Sequence, residues 1–404
     1  MKKIELLAPA GNMEKMKTAI YFGADAVYMG GEQFNLRALS DNFTLEEMKE
    51  AVEYAHNLGK KVYVTLNLIA HNQDLEPMVP YVKELEAMKV DGVIVADLGV
   101  FEIVAENTNL NISISTQASN TNWRSVKMWK KLGAKRVVLA REVSIEEMKE
   151  IRDKVNDIEI EAFVHGAMCM SISGRCLLSN YMTGRDANRG ACAQPCRWKY
   201  NLVEEKREGE YFPVYEDSRG TYIFNSKDLC TIEFIDKIMD VGIDSMKIEG
   251  RMKGIYYVAN AVKVYREAID DYNKKQFKFK PEWITELASA SNRDYTSGFY
   301  NIKPGAESHN YETANYFQTH QLLAKVVEKL GKSEYLLEIR NQIKPGEDVE
   351  ILVPNKRPIP MIFPQMVHFK TQESLEVANP NTLVVVKMEG DFNPMDMIRR
   401  RGNK

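Results

Sequence analysis

A surplus of either charge is what this chain most plainly lacks: across 404 residues, 54 Lys and Arg meet 57 Asp and Glu, a formal net charge of -3. That balance excludes a wholly basic nucleic-acid coat and leaves room only for local basic patches. No run approaches the ~20 uninterrupted apolar residues that a membrane span requires. The opening Met1-Lys2-Lys3 turns polar at once, with neither the apolar core nor the small-residue cleavage site of a secretory signal. The chain is therefore expected in the cytoplasm, where a reducing environment disfavours disulfides. Cysteine is scarce, five residues in all, and no two form a CxxC knuckle. HExxH and GxSxG are absent, and no two of the six histidines are spaced as helical metal ligands, which excludes the common zinc-protease and serine-hydrolase patterns.

What is present is βα repetition. With 44% apolar residues the chain can build a conventional core. Short β-rich runs alternate with amphipathic stretches: Ile4 to Ala8, Ala26 to Gly30, Lys61 to Leu68, Gly92 to Ala96, Ile112 to Thr116, Arg136 to Ala140, Ile158 to Val164 and Ser245 to Glu249. Two helices open alike, at Thr44-Leu45-Glu46-Glu47 and Ser144-Ile145-Glu146-Glu147, and both read as capping boxes. Gly23, Gly59, Gly133 and Gly242 stand where helices should stop. Eight strands in about 270 residues fit a TIM-type (β/α)8 barrel better than an open sheet. The expected division is a barrel over 1–272 with an excursion at about 165–230, a linker and helical segment over 273–317, and a small β-barrel-like C-terminal domain over 318–404. No solenoid repeat or low-complexity tract appears.

Four of the five cysteines, Cys169, Cys176, Cys192 and Cys196, crowd into the excursion, and Cys230 closes it. The gaps run six, fifteen, three and thirty-three residues. Structural zinc usually draws thiolates from tight CxxC knuckles, whereas an iron–sulfur cluster accepts ligands from separated loops, so the spacing favours a cluster. Arg175, Arg185, Arg189 and Arg197 crowd the same segment and would offset a cluster's negative charge. Zinc, or thiols that are merely small buried residues, are the competing readings. Four ligands suffice for five thiols, and Cys230 sits where a helix is expected to start, an environment that favours thiolate.

The run Glu161-Ala162-Phe163-Val164-His165-Gly166-Ala167-Met168-Cys169, with Ser173-Gly174-Arg175-Cys176-Leu177-Leu178-Ser179 after it, resembles the signature of the peptidase U32 (collagenase-like) family. The likeness extends through Leu7-Ala8-Pro9-Ala10-Gly11-Asn12, Gly190-Ala191-Cys192-Ala193-Gln194-Pro195-Cys196-Arg197-Trp198, Met246-Lys247-Ile248-Glu249-Gly250-Arg251 and Ser291-Asn292-Arg293-Asp294-Tyr295. Within the family the chain is most similar to the bacterial tRNA hydroxylation proteins. That resemblance implies oxygen-independent hydroxylation of wobble uridine to 5-hydroxyuridine, with the dicarboxylate prephenate as co-substrate. It also implies a [4Fe-4S] cluster on Cys169, Cys176, Cys192 and Cys230, leaving Cys196 as a substitute. Family members can work as paralogous pairs, so a non-catalytic, cluster-bearing RNA-binding subunit is a further reading. The family name offers a peptidase instead, with a nucleophile built from His165 and a clustered thiol; a thiol bound to iron could not attack.

In a barrel the chemistry gathers at the C-terminal strand ends, which nominates residues by position. Arg37, Arg141 and Arg251 are candidate carboxylate clamps, because guanidinium forks bind carboxylates bidentately. Asn67, Gln117 and Lys247 are further substrate-binding candidates, Asp97 and Glu142 also face the mouth, and His165, Glu161 and Glu249 are the acid–base candidates. Lys274, Lys275, Lys278 and Lys280 alternate with Phe277 and Phe279, which pairs phosphate neutralisers with stacking platforms and suggests RNA contact, as does Arg399-Arg400-Arg401 near the end of the chain.

Overall fold

The structure is a computed structural model and describes residues 3–35, 41–169, 171–176, 178–197, 201–202, 212–213, 225–301, 309–310 and 317–402. Its first part is a closed TIM-type barrel. Seven parallel strands follow in chain order: β1 (Glu5–Pro9), β2 (Ala26–Gly30), β3 (Lys61–Leu66), β4 (Gly92–Val95), β5 (Ile112–Ile114), β6 (Arg136–Val138) and β7 (Glu159–Ala167). The eighth, Ser245–Ile248, closes the ring by pairing with β7 (Ser245 opposite Glu161) and with β1 (Glu5 opposite Ser245).

Alternation along the strands separates two environments. Outward residues such as Leu6, Val27, Val64, Val93, Val137 and Ile160 are fully buried beneath the helices. Inward residues form a smaller apolar group of Leu7, Ala26, Tyr28, Tyr63 and Ile94, and share the lumen with buried Glu161, Arg136 and Lys247. The helices start where the sequence says: Thr44 with Glu47 and Ser144 with Glu147 each complete a capping box, and Asn12 accepts from the Lys15 amide at 3.0 Å.

Among the described residues, the excursion after β7 includes short 3-10 turns, the helix Leu178–Thr183 and an antiparallel pairing of Asn201–Leu202 with Phe212–Pro213. It returns through a short strand, Asp228–Cys230, antiparallel to β7 with Cys230 opposite His165. Cys230 therefore ends a strand, and the helix expected there begins two residues on, as a 3-10 turn over Ile232–Phe234 that runs into the helix Ile235–Asp240. The returning strand is fixed by a buried ion pair between Asp228 and Arg293 at 2.7 Å.

The C-terminal part is an eight-stranded antiparallel sheet running in spatial order Ile359–Ile362, Asp348–Leu352, Met397–Arg401, His320–Lys329, Glu334–Ile339, Leu383–Lys387, Met366–His368 and Ser374–Leu375. The terminal arginines lie inside it. Arg399 is buried, reaching Glu286 and, at 2.9 Å, both Glu350 and the Tyr256 hydroxyl, while Arg400 pairs with Glu347 at 2.6 Å. These two guanidinium groups are committed to folding, which corrects their reading as an RNA-binding tail. The lysine-rich segment also differs from expectation: Phe277 and Phe279 pack on Trp283, and Lys280 bonds to Glu267 and Asp271. Lys274, Lys275 and Lys278 are exposed, without free aromatic platforms between them.

The sheet domain is tied to the barrel's first helix, Met13–Tyr21, through Glu14 with Lys325 and Arg340 and through Tyr21 with Asp396. Asp396 is 1% exposed and accepts from the Tyr21 hydroxyl at 2.7 Å and the Asn393 amide at 2.8 Å. Burial lifts its carboxyl to about 6. A carboxyl raised in the folded state binds its proton more tightly there than in the unfolded chain, so its contribution is present at low pH and lost as pH rises through about 6. Denaturant titrations should show wild type losing roughly 1–3 kcal/mol relative to Asp396→Asn between about pH 4 and pH 7. A stability difference that stays constant across that interval would mean that Asp396 does not titrate against folding.

Candidate active site at the barrel mouth

A cavity of about 1000 Å³ opens at the C-terminal ends of the strands. Tyr28, Ile94, Val138 and Phe163 form apolar walls, and among the described residues of its lining the cations Arg141, Arg185, Lys247, Arg251 and Lys253 outnumber the acids Glu142 and Glu249. A cleft with low-dielectric walls and an excess of one charge concentrates ligands of the other.

Arg141 follows β6. Its guanidinium stacks on the Phe163 ring at 4.0 Å and donates to the Ala167 carbonyl. Its Nε is buried with no hydrogen-bond partner, and among the described residues Arg141 makes no ion pair. Arg251 is buried and donates to Asn42 at 2.7 Å, Thr65 at 3.3 Å and Asn35 at 3.4 Å. Gly30 makes room for it, since a Cβ there would lie 2.5 Å from the Arg251 guanidinium. Asn67 and Gln117 form an amide pair on the wall: the Asn67 side chain donates to Gln117 Oε1 at 2.9 Å, and Gln117 Nε2 donates back to the Asn67 carbonyl at 3.3 Å. Glu249 lines the cavity, and Glu142 does too while accepting from the Ser173 amide at 2.9 Å. Asp97 caps the helix Leu98–Asn107 through the Gly99 and Val100 amides. Arg37 lies outside the described residues.

Lys247 reaches the cavity from the eighth strand, its ammonium 4.4 Å from the centre of the Tyr28 ring and 2.9 Å from Glu161. Glu161 is 1% exposed and lies below the cavity, where it also accepts from Arg136 at 2.9 Å. Burial alone would raise its carboxyl, but Lys247 and Arg136 outweigh that and hold it below the usual carboxylate range. Glu161 is thus a sealed, ionised group and acts on the cavity only through Lys247.

His165 departs furthest from the expected role. Its ring is buried among Tyr257, Tyr265 and Tyr295 and does not line the cavity. Burial lowers its pKa to about 4, against the pull of Asp228, so the imidazole is neutral at physiological pH. The chain reaches this arrangement at Gly166, with φ +113°, where a Cβ would lie 2.6 Å from the Glu249 carbonyl. His165 therefore braces the wall behind the cavity.

Cys169, Cys176, Cys192 and Cys196 all line the cavity. Cys176 is held by Asn188, which accepts from its amide and donates to its carbonyl, each at 3.2 Å. The Gln194 amide donates to Cys192 Sγ at 3.4 Å. The surrounding protein raises the Cys169 thiol even though it opens onto the cavity; the Ser171 amide and Arg141 pull it down, and Cys176 and Cys192 push it further up. Cys230 faces elsewhere: its sulfur lies 3.8 Å from the Tyr265 hydroxyl, and burial pushes its pKa up to about 12. Cavity lining thus includes Cys196 and omits Cys230. Among the described residues no three His, Cys, Asp or Glu side chains converge as a metal-ion site. The donor chemistry nevertheless fits an iron–sulfur cluster in kind, because thiols share one wall with cations and receive backbone N–H···S contacts.

Sequence reasoning passed over Arg136, the hub beneath the cavity, although an arginine opening a fully buried strand is itself a signal. It also missed the tyrosines around His165, which only tertiary packing assembles.

The family model for peptidase family U32 matches residues 11–310, and that for the family's C-terminal domain matches 318–399. Relatives include tRNA hydroxylation protein P1 of Bacillus subtilis, 41% identical over 99% of this chain and 95% of that one. tRNA hydroxylation protein P of Escherichia coli is 36% identical over 88% of this chain and 87% of its own length. A collagenase of Porphyromonas gingivalis is 30% identical over 98% of this chain and 97% of its own. With both models matched and relatives alike across nearly its whole length, the chain belongs to peptidase family U32.

Proposed function

We propose that the chain hydroxylates a uridine of tRNA to 5-hydroxyuridine without molecular oxygen, taking prephenate as the donor. The relatives named tRNA hydroxylation proteins support the reaction class. The observation that carries the donor is Arg141, a guanidinium on the cavity wall with no acidic partner among the described residues. Arg141 and Arg251 would take the two carboxylates as charge-assisted pairs. The Asn67–Gln117 amides supply the donors and acceptors that a uracil edge requires. The apolar walls would exclude water around the reacting ring. Such a substrate implies a cytoplasmic protein.

Cys169, Cys176 and Cys192 would hold three corners of a [4Fe-4S] cluster. Cavity lining supports Cys196 as the fourth ligand, and family resemblance supports Cys230. When bound, the cluster would supply a redox-active, Lewis-acidic centre at the cavity wall. Peptidase activity is the second reading, favoured by the relative named collagenase. The sealed, neutral His165 counts against it, because a general base must reach its nucleophile.

Replacing Cys169, Cys176 or Cys192 with Ala should each abolish iron and sulfide in anaerobically purified protein. Near-stoichiometric iron in any of the three would remove that residue from the ligand set. Of Cys196→Ala and Cys230→Ala, the variant that also loses iron identifies the fourth ligand.

Deleting the gene should deplete 5-hydroxyuridine and its derivatives from bulk tRNA, and blocking prephenate synthesis should mimic the deletion. Unchanged nucleoside profiles in a strain without a paralogue would sink the reading, and gelatin cleavage that follows the pure protein would promote the peptidase.

Arg141→Ala should keep iron and melt as wild type does while losing donor affinity by roughly 2–5 kcal/mol, the scale for removing one partner of a desolvated charge pair. Early melting with normal modification would instead make Arg141 scaffold.

A further inference from the structure

Lys247 and Glu161 stand on adjacent strands and point into the lumen, but only Lys247 touches the cavity. Both Glu161 oxygens are taken, Oε1 by Lys247 and Oε2 by Arg136, each at 2.9 Å. Arg136 is in turn held by Glu5 at 2.7 Å, Glu159 at 2.8 Å and the Tyr63 hydroxyl at 3.2 Å. The carboxylate therefore cannot turn away, and it fixes the direction of the ammonium above it. Charged and titratable groups approach from every side: Glu159 and Glu161 on β7, Arg136 on β6 with Arg141 after it, Glu5 on β1, Tyr28 on β2 and Tyr63 on β3. Burial, with Arg136 and Arg141, holds the Lys247 amine below the ordinary lysine range, and Glu161 pulls against them.

We propose that Lys247 seats an anionic group of the small acid at the cavity floor and that Glu161 is its positioning residue, holding the ammonium in place through their ion pair. The inference rests on the reading of the cavity as the seat of a carboxylic acid donor. It goes further by assigning the deepest contact to a lysine whose charge depends on a residue the ligand never meets. Removing Glu161 would make the charge on the amine a matter of bulk pH.

Two measurements on the full-length, iron-loaded protein test this, with prephenate as the probe. Calorimetric titrations between about pH 7 and pH 9, where the acid's carboxylates stay ionised, should give a wild-type affinity that falls less with pH than that of Glu161→Gln. Glu161→Gln should lose affinity as pH rises, approaching about tenfold per unit, the slope for one proton. Adding Lys247→Arg to that variant should flatten the profile, because a guanidinium does not deprotonate in this range. Independently of any ligand, amidination of Lys247 by methyl acetimidate, normalised to Lys253 in the same cavity and read by peptide mass spectrometry, should be at least tenfold faster in Glu161→Gln. If the glutamine variant does not fold, Glu161→Asp, which keeps the charge but shortens the reach, should change both readouts in the same direction by less. Unchanged amidination together with a wild-type pH profile, or a loss of affinity equal at every pH, would overturn the inference. Wild type that fails to bind prephenate while Glu161→Gln still accelerates amidination would sink the donor reading and leave Glu161's control of Lys247 standing.

Discussion

The buried guanidinium of Arg136 is the interaction on which the rest of the barrel depends. It crosses the lumen to meet Glu5, Glu159 and Glu161, and through Glu161 it reaches Lys247. Burying so many charges carries a large desolvation cost, which only full pairing offsets, so the strands that present them must hold their register. β1, β6, β7 and the eighth strand all contribute, and these are the strands around the point of closure. A charged lower lumen also explains why the cavity begins where it does. Below Lys247 the space is filled with salt bridges, and above it the lining mixes apolar side chains with amides, thiols and further charged groups.

The upper half is furnished largely from outside the repeat. The excursion after β7 brings four thiols and Arg185 to the cavity, and it is anchored to the barrel by Arg189, which forms a bidentate pair with Asp74 at 2.8 and 3.0 Å. The strand Asp228–Cys230 then returns along β7 and closes His165 into its cage of tyrosines. Barrel and excursion thus furnish the cavity differently, with Arg141, Lys247 and Arg251 on the barrel strands and their following loops and the four lining thiols on the insertion.

Much of this was legible in the sequence because it is local. Capping boxes at Thr44 and Ser144, and the alternation within each strand, are set by residues a few positions apart, so the barrel and its mouth could be read directly. The crowding of Cys169, Cys176, Cys192 and Cys196 was equally visible. What the sequence concealed is decided by how side chains pack, often against partners far along the chain. Cys230 faces Tyr265, thirty-five residues on, and not the cavity. Phe277 and Phe279 alternate with lysines as an RNA platform would, yet both pack on Trp283. Arg399 sits in what reads as a basic tail, yet Glu286, more than a hundred residues earlier, takes its charge. Spacing identifies which residue types are present; only packing decides which of them share a space.

The placement of the C-terminal sheet bears on how the chain is made. Its contacts fall on Glu14 and Tyr21, in the helix after β1, and on Tyr256 and Glu286, in and just after the helix that follows the eighth strand. Those two helices flank the seam where the start of the barrel meets its end, and they also pack on one another. During synthesis the seam can be zipped as soon as the eighth strand leaves the ribosome, but the sheet that rivets both sides of it emerges last. A nascent barrel would therefore pass through an interval in which it is closed but lacks the sheet's contacts to either of these helices.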